Sequence, residues 1–579
     1  MMEEPRIGVY VCWCGTNIAK MVDVEHVSKE LEKLPDVIIS RDYKYMCSDP
    51  GQDLIIKDIK ENNLNRIVVS ACSPRIHELT FHKAMEKAGL NPYLFEMANI
   101  REQDSWVHTD RKEATEKAKS LILGAINKVR WHEALEKRSV DINPDTLIIG
   151  GGIAGLTAAL EIADAGKKVY LVEKTDKLGG HAANIDLTFP FMNSVQQMLN
   201  PKIEKVINHP NIELFLETRI DEAFGYVGNF ETTIKKENEE IQLKFGNIIV
   251  ATGLKTFDPG GIENYGYGKL PDVVTSSEFE RMLKEGKIQT NAGNDPRHVA
   301  IIHCVGSRNS DFHEYCSRTC CMTALKYANQ LRSALPEANI YEAYADMMAF
   351  GKGCEELYLA TSRKNVTFLM FDQKDNLPKI RKADSKHNFE MLIEINDKLS
   401  GVTVDVPADL VILMVAQEAH ENAKEVAHAV GVSMCGNAFY IEKHPKLDPV
   451  ATTTDGVYVV GSCQAPKDIP DSVSQARAAA ARILASISFG SVEVEVTTAV
   501  VNENLCCGCQ TCINVCPYTA ISYDEEKQVS VVNEILCKGC GTCGSTCPTG
   551  AIRSRHFTDQ QILSQIEGLL STVLELEEA

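Results

Sequence analysis

The chain has 579 residues, of which 44% are hydrophobic and 24% are charged, an ordinary composition for a globular protein. At about 150 residues per domain, this length predicts about four folding units and excludes a single small binding module. The 60 basic and 80 acidic residues give a formal charge of −20, which disfavours binding to nucleic acid. The 20 cysteines are the unusual feature, and their meaning depends on where they lie.

The ends and the apolar runs predict where the protein works. The first residues, MMEEPRIGVY, have no basic start followed by an apolar stretch, so we expect no secretory signal. No apolar run reaches the about 18 residues of a membrane span. We therefore expect a cytoplasmic protein, in which cysteines are more often metal ligands or redox groups than disulfides.

In chain order, residues 1–140 alternate predicted strands and helices, which is typical of a small Rossmann-like α/β domain with a parallel sheet. Cysteines follow the predicted strands, and open α/β sheets place their sites at the carboxyl ends of strands. Four thiols at one edge could hold a cluster; thiols without metal, in the core or at the edge, are the alternative. The four are Cys12, Cys14, Cys47 and Cys72.

Residues 141–495 are predicted to form a flavoprotein core of the two-dinucleotide-binding, thioredoxin-reductase-like type. An apolar strand leads into Gly150-x-Gly152-x-x-Gly155 and a helix, and the next strand ends at Glu173. This is the dinucleotide fingerprint in its strand–turn–helix–strand context. Its glycines let a pyrophosphate approach a helix N-terminus, and the acid reaches a ribose hydroxyl.

Three later motifs favour FAD over NAD. Residues 174–180 (KTDKLGG), 248–253 (IIVATG) and 454–461 (TDGVYVVG) resemble, in this order, those of two-dinucleotide-binding flavoproteins. Ser462 stands where the last motif normally continues with Asp. A Rossmann domain without a cofactor is the alternative. The predicted FAD contacts are Gly150, Gly152, Ile153, Ala154, Gly155, Glu173, Lys174, Gly179, Gly180, His181, Ala251, Thr252, Gly253, Gly461, Ser462, Ile469 and Ser474.

A nested second Rossmann unit, at about residues 296–445, lacks the expected nicotinamide motif. Its first strand is followed by CVGSR, so that a cysteine replaces the first glycine. We expect a cluster close to the flavin instead of a pyridine nucleotide, and a set of buried small thiols is the alternative. The predicted ligands are Cys304, Cys316, Cys320 and Cys321.

Residues 496–556 contain two C-x2-C-x2-C-x3-C-P runs, typical of α+β bacterial ferredoxins with two [4Fe–4S] clusters, in which the fourth cysteine of each run ligates the other cluster. Zinc is the alternative, and Cys507 is predicted to be a non-ligand. One cluster is assigned Cys506, Cys509, Cys512 and Cys547, and the other Cys537, Cys540, Cys543 and Cys516.

Residues 557–579 are predicted to form an amphipathic helix, which either packs on the chain's own surface or docks a partner. Its spaced apolar residues are Ile562, Ile566, Leu569, Leu570 and Val573.

Together these features resemble the A subunit of heterodisulfide reductase, the flavin- and iron–sulfur-containing subunit of methanogenic archaea and related anaerobes. The resemblance covers nearly the whole chain. It includes VCWCG from Val11, ACSPRIHELTFH from Ala71, residues 91–106, CQAPKDIPDSV from Cys463, the cysteine set from Cys304, and both ferredoxin runs.

The resemblance implies an oxidoreductase with one FAD and several [4Fe–4S] clusters, and a role in methanogenesis. It implies electron bifurcation or its reverse at the flavin, between a donor, ferredoxin and a disulfide-reducing partner. The implied partners are disulfide-reducing and cluster-carrying subunits, a hydrogenase, formate dehydrogenase or similar donor, and a second copy within a larger complex. A stand-alone NAD(P)H-dependent oxidoreductase and a relay that does not bifurcate are the alternatives.

The resemblance also assigns residues beside the flavin. It implies that Lys326 lies near flavin N5, that Glu278 is the acidic partner of this lysine, and that Lys467 faces the isoalloxazine. The chain departs from the family in two places. Residues 191–244 contain no cysteine, so a ferredoxin unit inserted in many members is missing, and Leu187 stands where a lysine is expected.

Overall fold

The computed structural model describes residues 4–236, 239–374, 376–494 and 496–577. The chain forms two compact units, one of Met1–Ser139 with Glu493–Ala579 and one of Val140–Val492. No helix in these described ranges is both long and apolar enough to cross a bilayer.

The first segment of the first unit is a parallel sheet with helices. Its strands are β1 (Ile7–Cys12), β2 (Val37–Tyr43), β3 (Arg66–Ala71) and β4 (Phe95–Asn99), and its helices are α1 (Val24–Leu31), α2 (Asp49–Asn62), α3 (Pro74–Ala88) and α4 (Arg111–Val129). The strand order is β2-β1-β3-β4, and every pair is parallel. The central strands β1 and β3 are buried throughout, because helices cover both faces of a parallel sheet. The predicted α/β fold is confirmed.

The second unit is built around two five-stranded parallel sheets. Its strands, with β5 and β24 containing the unit boundaries, are β5 (Arg138–Asp141), β6 (Thr146–Ile149), β7 (Val169–Val172), β8 (Ile212–Phe215), β9 (Arg219–Tyr226), β10 (Asn229–Lys236), β11 (Glu239–Phe245), β12 (Asn247–Val250), β13 (Leu254–Thr256), β14 (Val273–Thr275), β15 (His298–Val305), β16 (Asn339–Tyr344), β17 (Val366–Met370), β18 (Lys379–Lys382), β19 (Met391–Asp397), β20 (Val402–Ala408), β21 (Leu410–Val415), β22 (Gln417–Ala419), β23 (Val457–Val459) and β24 (Ser491–Val494). Its helices are α5 (Ile153–Asp164), α6 (Val195–Ile207), α7 (Ser276–Glu285), α8 (Cys320–Ala334), α9 (Cys354–Ser362), α10 (Ala423–Val430) and α11 (Ile469–Phe489).

The two sheets have the orders β23-β12-β6-β7-β8 and β14-β21-β15-β16-β17. In the first sheet, apolar residues of α5 and α11 pack in one buried cluster with β6, β7 and β12. The second sheet packs against α8 through another buried cluster. In each sheet the carboxyl ends of the parallel strands lie beside the starts of helices, where α/β proteins of the predicted flavoprotein type bind their cofactors.

The second segment of the first unit is the ferredoxin-like part. Its strands are β25 (Ala499–Val501), β26 (Ile521–Asp524), β27 (Val529–Val532) and β28 (Ile552–Ser554), and its helices are α12 (Thr511–Asn514), α13 (Thr542–Thr546) and α14 (Asp559–Glu577). The strands form two antiparallel pairs, β25 with β28 and β26 with β27. The small buried core between them includes Cys512, Cys537 and Cys543, so predicted cluster ligands make up part of the core itself.

The C-terminal helix α14 packs on α4 through only part of the predicted apolar face. A Cβ on Gly568 would lie 2.5 Å from the Leu123 carbonyl oxygen, so the two helix backbones approach closely at a small residue. By contrast, Ile562, Ile566 and Leu570 are 40%, 44% and 50% exposed. Packing on the chain's own surface is therefore observed, through Gly568 and through the predicted Leu569, whose side chain lies against Gly124 of α4; the side chain of Val573 lies outside the described residues.

Candidate flavin and iron–sulfur sites

The second unit contains a cavity of about 920 Å³ that begins at the carboxyl end of β6. This volume is in the range of cofactor pockets. Fifteen of the seventeen predicted FAD contacts line it, all except Gly155 and Ser474. The residues of the four sequence motifs therefore meet around one space.

The glycine turn between β6 and α5 fits a dinucleotide. A Cβ on Gly155 would lie only 1.9 Å from the Gly150 carbonyl oxygen, so Gly155 allows the helix to approach the strand and does not touch the cavity. At Gly152, by contrast, a Cβ would meet no protein atom within 4 Å, because Gly152 faces the cavity. The N-terminus of α5 is thus open to a phosphate.

Glu173, directly after β7, is held beside this turn. Its Oε2 accepts a hydrogen bond from the Gly151 N–H at 2.7 Å, and its Oε1 accepts bonds from the N–H and hydroxyl of Thr175 at 2.9 and 2.8 Å. These bonds fix the carboxylate at the cavity wall, where a ribose hydroxyl can reach it.

The acidic partner of Lys326 is Glu280, and the expectation that it is Glu278 is wrong. Lys326 is 1% exposed, and its Nζ contacts the Glu280 carboxylate and donates to the Leu187 carbonyl oxygen at 3.1 Å. Glu278 instead forms the capping box of α7 with Thr275, accepting its N–H at 2.7 Å and its hydroxyl at 2.8 Å. The pattern T-x-x-E is the known signature of this box and could have identified Glu278 as a cap.

Glu280 also organises the cavity wall around Lys326. Its Oε2 accepts the Asp186 N–H at 3.0 Å, so one carboxylate joins α7, α8 and the loop that carries Leu187. Burial lowers the pKa of Lys326, and the Glu280 charge opposes that shift. The arrangement therefore presents a buried cation at the cavity.

The start of α11 contributes Ile469 and Ser472, rather than Ser474, to the lining of the cavity. Ser474 is exposed and does not line the cavity, because it lies on another face of the helix, whereas Ser472 is buried and does. Lys467 also lines the cavity, and its Nζ donates to Gln464 Oε1 at 2.7 Å. Burial lowers the pKa of Lys467, as it does that of Lys326.

The four cysteines of the second sheet converge at the start of α8. The Cys320 thiol interacts with Cys304, Cys321 and Cys316. Three of these residues share one buried core cluster, Cys304, Cys320 and Cys321. Cys304 is the last residue but one of β15 and has φ +58°, a left-handed backbone that bends the chain at the end of the strand. Cys320 also lines the large cavity, so the cysteine group and the cavity share a wall.

The cysteines of the N-terminal segment also lie together. Cys12 Sγ accepts N–H bonds from Cys14 at 3.3 Å and Met46 at 3.5 Å, and Arg101 donates to Cys14 Sγ at 3.2 Å. Burial, with smaller contributions from Cys14 and Cys12, raises the pKa of Cys72 to about 11. Burial, with a smaller contribution from the neighbouring Cys14, also raises the pKa of Cys47. Strand ends thus bring the four thiols to one sheet edge, with N–H donors aimed at sulfur.

In the ferredoxin-like part, the thiols group across the two runs. A cavity of about 20 Å³ is lined by Cys537, Cys540 and Cys543 of the second run and by Cys516 of the first. Cys509 of the first run interacts with Cys547 of the second. This is the crossed pairing expected of a two-cluster ferredoxin.

No three histidine, cysteine or carboxylate side chains among the described residues converge as ligands of a single metal ion. A four-iron cluster has a different requirement, since each thiolate binds its own iron at a separate corner.

Two family models match the chain. "Pyridine nucleotide-disulphide oxidoreductase" matches residues 144–302, which contain the glycine turn and Glu173. "4Fe-4S dicluster domain" matches residues 499–554, which contain both cysteine runs.

The chain is 41% identical to the A subunit of the H2:CoB–CoM heterodisulfide, ferredoxin reductase of Methanothermobacter thermautotrophicus, over 98% of each protein. It is 40% identical to an iron–sulfur A subunit of the CoB–CoM heterodisulfide reductase of Methanopyrus kandleri, over 100% of this chain and 99% of that one. The chain belongs to the family of heterodisulfide reductase A subunits. Like its family, it is an oxidoreductase subunit, with an FAD-binding redox domain and a dicluster iron–sulfur domain.

These heterodisulfide reductase relatives are longer. The alignment with the Methanothermobacter protein spans 657 positions, whereas this chain has 579 residues, so that relative contains segments that this chain lacks. Among solved structures, thioredoxin reductase of T. acidophilum is 16% identical, with a TM-score of 0.41, over 60% of this chain and 99% of that one.

Proposed function

We propose that this chain is the FAD- and [4Fe–4S]-containing electron-transfer subunit of a heterodisulfide-reductase-type complex and that electron pairs are divided or merged at the large cavity. The main support for this proposal is the position of Cys320, which lines the cavity and also belongs to the cysteine group with Cys304, Cys316 and Cys321. When bound, FAD exchanges electrons in pairs or singly and each cluster exchanges one electron. Paired and single-electron carriers would then be neighbours.

The chain's own residues have separable roles in this proposal. Gly152 and the N-terminus of α5 bind the pyrophosphate, and Glu173 binds the ribose. Lys326, held by Glu280, places a positive charge at the cavity, which favours negatively charged reduced forms of a bound flavin. Lys467 adds a second cation to the lining of the cavity. The four cysteine groups hold four [4Fe–4S] clusters.

The proposed partners follow the names of the relatives, which mention H2, formate, ferredoxin and the CoB–CoM heterodisulfide. A donor such as a hydrogenase or formate dehydrogenase gives two electrons; one goes to ferredoxin and one to a disulfide-reducing subunit. Two such events, with two protons, reduce one disulfide to two thiols. We place this reaction in the cytoplasm of a methanogenic archaeon or related anaerobe, with two copies of the chain in the complex.

The test is coupled turnover in the complex purified anaerobically. Ferredoxin should be reduced only when the disulfide acceptor is also present, with one electron in each product for each pair consumed. Ferredoxin reduction without the disulfide would contradict bifurcation and leave a simple relay. Direct reduction of the isolated chain by NADH would favour the stand-alone NAD(P)H-dependent enzyme instead.

A further inference from the structure

We propose that His303, held by Glu342, sets the reduction potential of the cluster assigned to Cys304, Cys316, Cys320 and Cys321. The inference rests on the proposed function, which places a cluster there, and adds a residue pair outside the ligand set. Both side chains are fully buried, at 0% exposure. Nε2 of His303 lies 3.1 Å from Oε2 of Glu342.

The strands explain why this pair faces the cysteines. His303 lies on β15 and Glu342 on the neighbouring parallel strand β16, where Ile301 is in register with Glu342. Ile301, two residues before His303 and so on the same face of the strand, packs in one buried cluster with Cys320 and Cys321 of α8. The imidazole is therefore directed at the start of α8.

The two nitrogens of the imidazole have different surroundings. Nε2 is taken by Glu342, whereas Nδ1 has no hydrogen-bond partner in the described structure. The Cys321 thiol is close enough to interact with the ring. A buried ring nitrogen without a partner is costly. A cluster thiolate at Cys321 would accept a hydrogen bond from an Nδ1–H, and the ring, which also donates its Nε2–H to the Glu342 carboxylate, is then an imidazolium between two anionic acceptors. Glu342 fixes the ring orientation, as a carboxylate behind a ligand-contacting histidine does.

The expected consequence is electrostatic. A cluster gains negative charge when it is reduced, and hydrogen bonds to its sulfurs stabilise that state, which raises the reduction potential. In a fully buried site this effect is weakly screened. The His303–Glu342 pair thus makes the cluster beside the cavity a better acceptor for an electron leaving that cavity.

The experiment is a redox titration of the anaerobically prepared full chain, followed by electron paramagnetic resonance. The signal of this cluster is assigned by its loss in Cys316→Ala. His303→Gln keeps a bond to Glu342 but removes the imidazole, and we expect the midpoint potential of this signal alone to become more negative. The ferredoxin-type clusters serve as internal references, and His298→Gln, on the same strand but bonded to Asn339, should shift nothing.

A double-mutant cycle tests whether Glu342 acts through the ring. Glu342→Gln should shift the potential when His303 is present and have much less effect in the His303→Gln background. A full iron content with an unshifted potential in His303→Gln would overturn this inference and leave the proposed function intact. An iron content in the unmodified chain too low for this cluster would overturn both.

Discussion

At the scale of single residues, the two glycines of the flavin turn have different tasks. Gly152 lines the cavity and has no protein atom near its missing Cβ, whereas Gly155 is packed against Gly150. A methyl group at Gly152 would therefore fill space meant for the cofactor without disturbing the fold.

We expect Gly152→Ala to fold normally. After gel filtration, this variant should contain at least tenfold less FAD than the unmodified chain. Gly261→Ala, where a Cβ also meets nothing within 4 Å but which does not line the cavity, is the control and should retain full flavin. Equal flavin content in both variants would contradict the placement of the pyrophosphate.

Two acidic residues on α7 should differ in their contribution to stability. Glu280→Gln leaves Lys326 buried without its counter-charge, which costs about 3 kcal/mol. Glu278→Gln keeps a capping box, in which Gln serves as well as Glu, and should cost less than about 1 kcal/mol. Native-state hydrogen exchange of α8 amides measures both; equal costs would mean that the Lys326–Glu280 pair does not stabilise the fold.

The same two residues show what sequence could predict at this scale. The spacing of the glycine turn predicts the pyrophosphate site because the backbone makes it locally. The T-x-x-E pattern assigns Glu278 to the cap of α7, but the pairing of Glu280 with Lys326 depends on how α7 packs against α8, which no local pattern contains. The presence of Ser472 rather than Ser474 in the cavity wall has the same origin, a rotation of α11 about its axis.

At the scale of elements, the two cysteine runs are interleaved, and the crossed pairing can be tested. Cys516→Ala should abolish the cluster that Cys540→Ala also abolishes, with a loss of about four iron atoms per chain. Cys509→Ala should abolish the other cluster and its electron paramagnetic resonance signal. Cys507→Ala should leave both clusters in place. If Cys516→Ala instead abolished the cluster that is lost in Cys509→Ala, each run would bind its own cluster.

The contact between α14 and α4 should weaken in acid because of two stacked histidines. The rings of His132 and His556 lie 4.1 Å apart, with Lys128, Arg66, Glu96 and Glu133 as charged neighbours. Burial is the main cause that lowers the pKa of His132 to about 2 from 6.5, and the positive neighbours add to it. Neutral His132 therefore stabilises the fold above pH 6.5, and this contribution is lost as the pH falls from 6.5 towards 2.

Hydrogen exchange of α14 amides, corrected for intrinsic rates, should rise between pH 7 and pH 5, and His132→Phe should reduce that rise. Glu96 partly opposes the effect, since burial raises its pKa. His26→Phe replaces an exposed histidine on α1 and should leave the rise unchanged. An unaltered pH response in His132→Phe would show that this histidine is not its origin.

Helix boundaries follow from capping residues rather than from the hydrophobic pattern. Helix α2 begins at Asp49, behind the Ser48 N-cap and with Pro50 in the first turn, a start signal that the hydrophobic pattern alone does not contain. For α14, the apolar period predicts the helix but only part of its packing face. A close helix crossing favours small residues such as Gly568, with Leu569 packed beside it on Gly124, while Ile562, Ile566 and Leu570 remain partly exposed.

At the scale of the whole molecule, cysteine spacing predicts the ferredoxin clusters because each run folds as one short loop. The N-terminal group and the group around Cys320 instead depend on strands that meet only in the folded sheet. They could be anticipated from the rule that parallel sheets place sites at strand carboxyl ends. The grouping of residues 1–139 with 493–579 in one unit follows from contacts such as α14 with α4, which no pattern in the sequence contains.

The central claim is that four thiolate-held iron–sulfur clusters accompany one FAD in this chain. The most direct test is to count iron, sulfide and flavin per chain in anaerobically purified protein. We predict about 16 iron atoms and as many sulfides with one FAD. About eight iron atoms, with the ferredoxin signals alone, would contradict the claim, as would zinc in place of iron or protein without flavin.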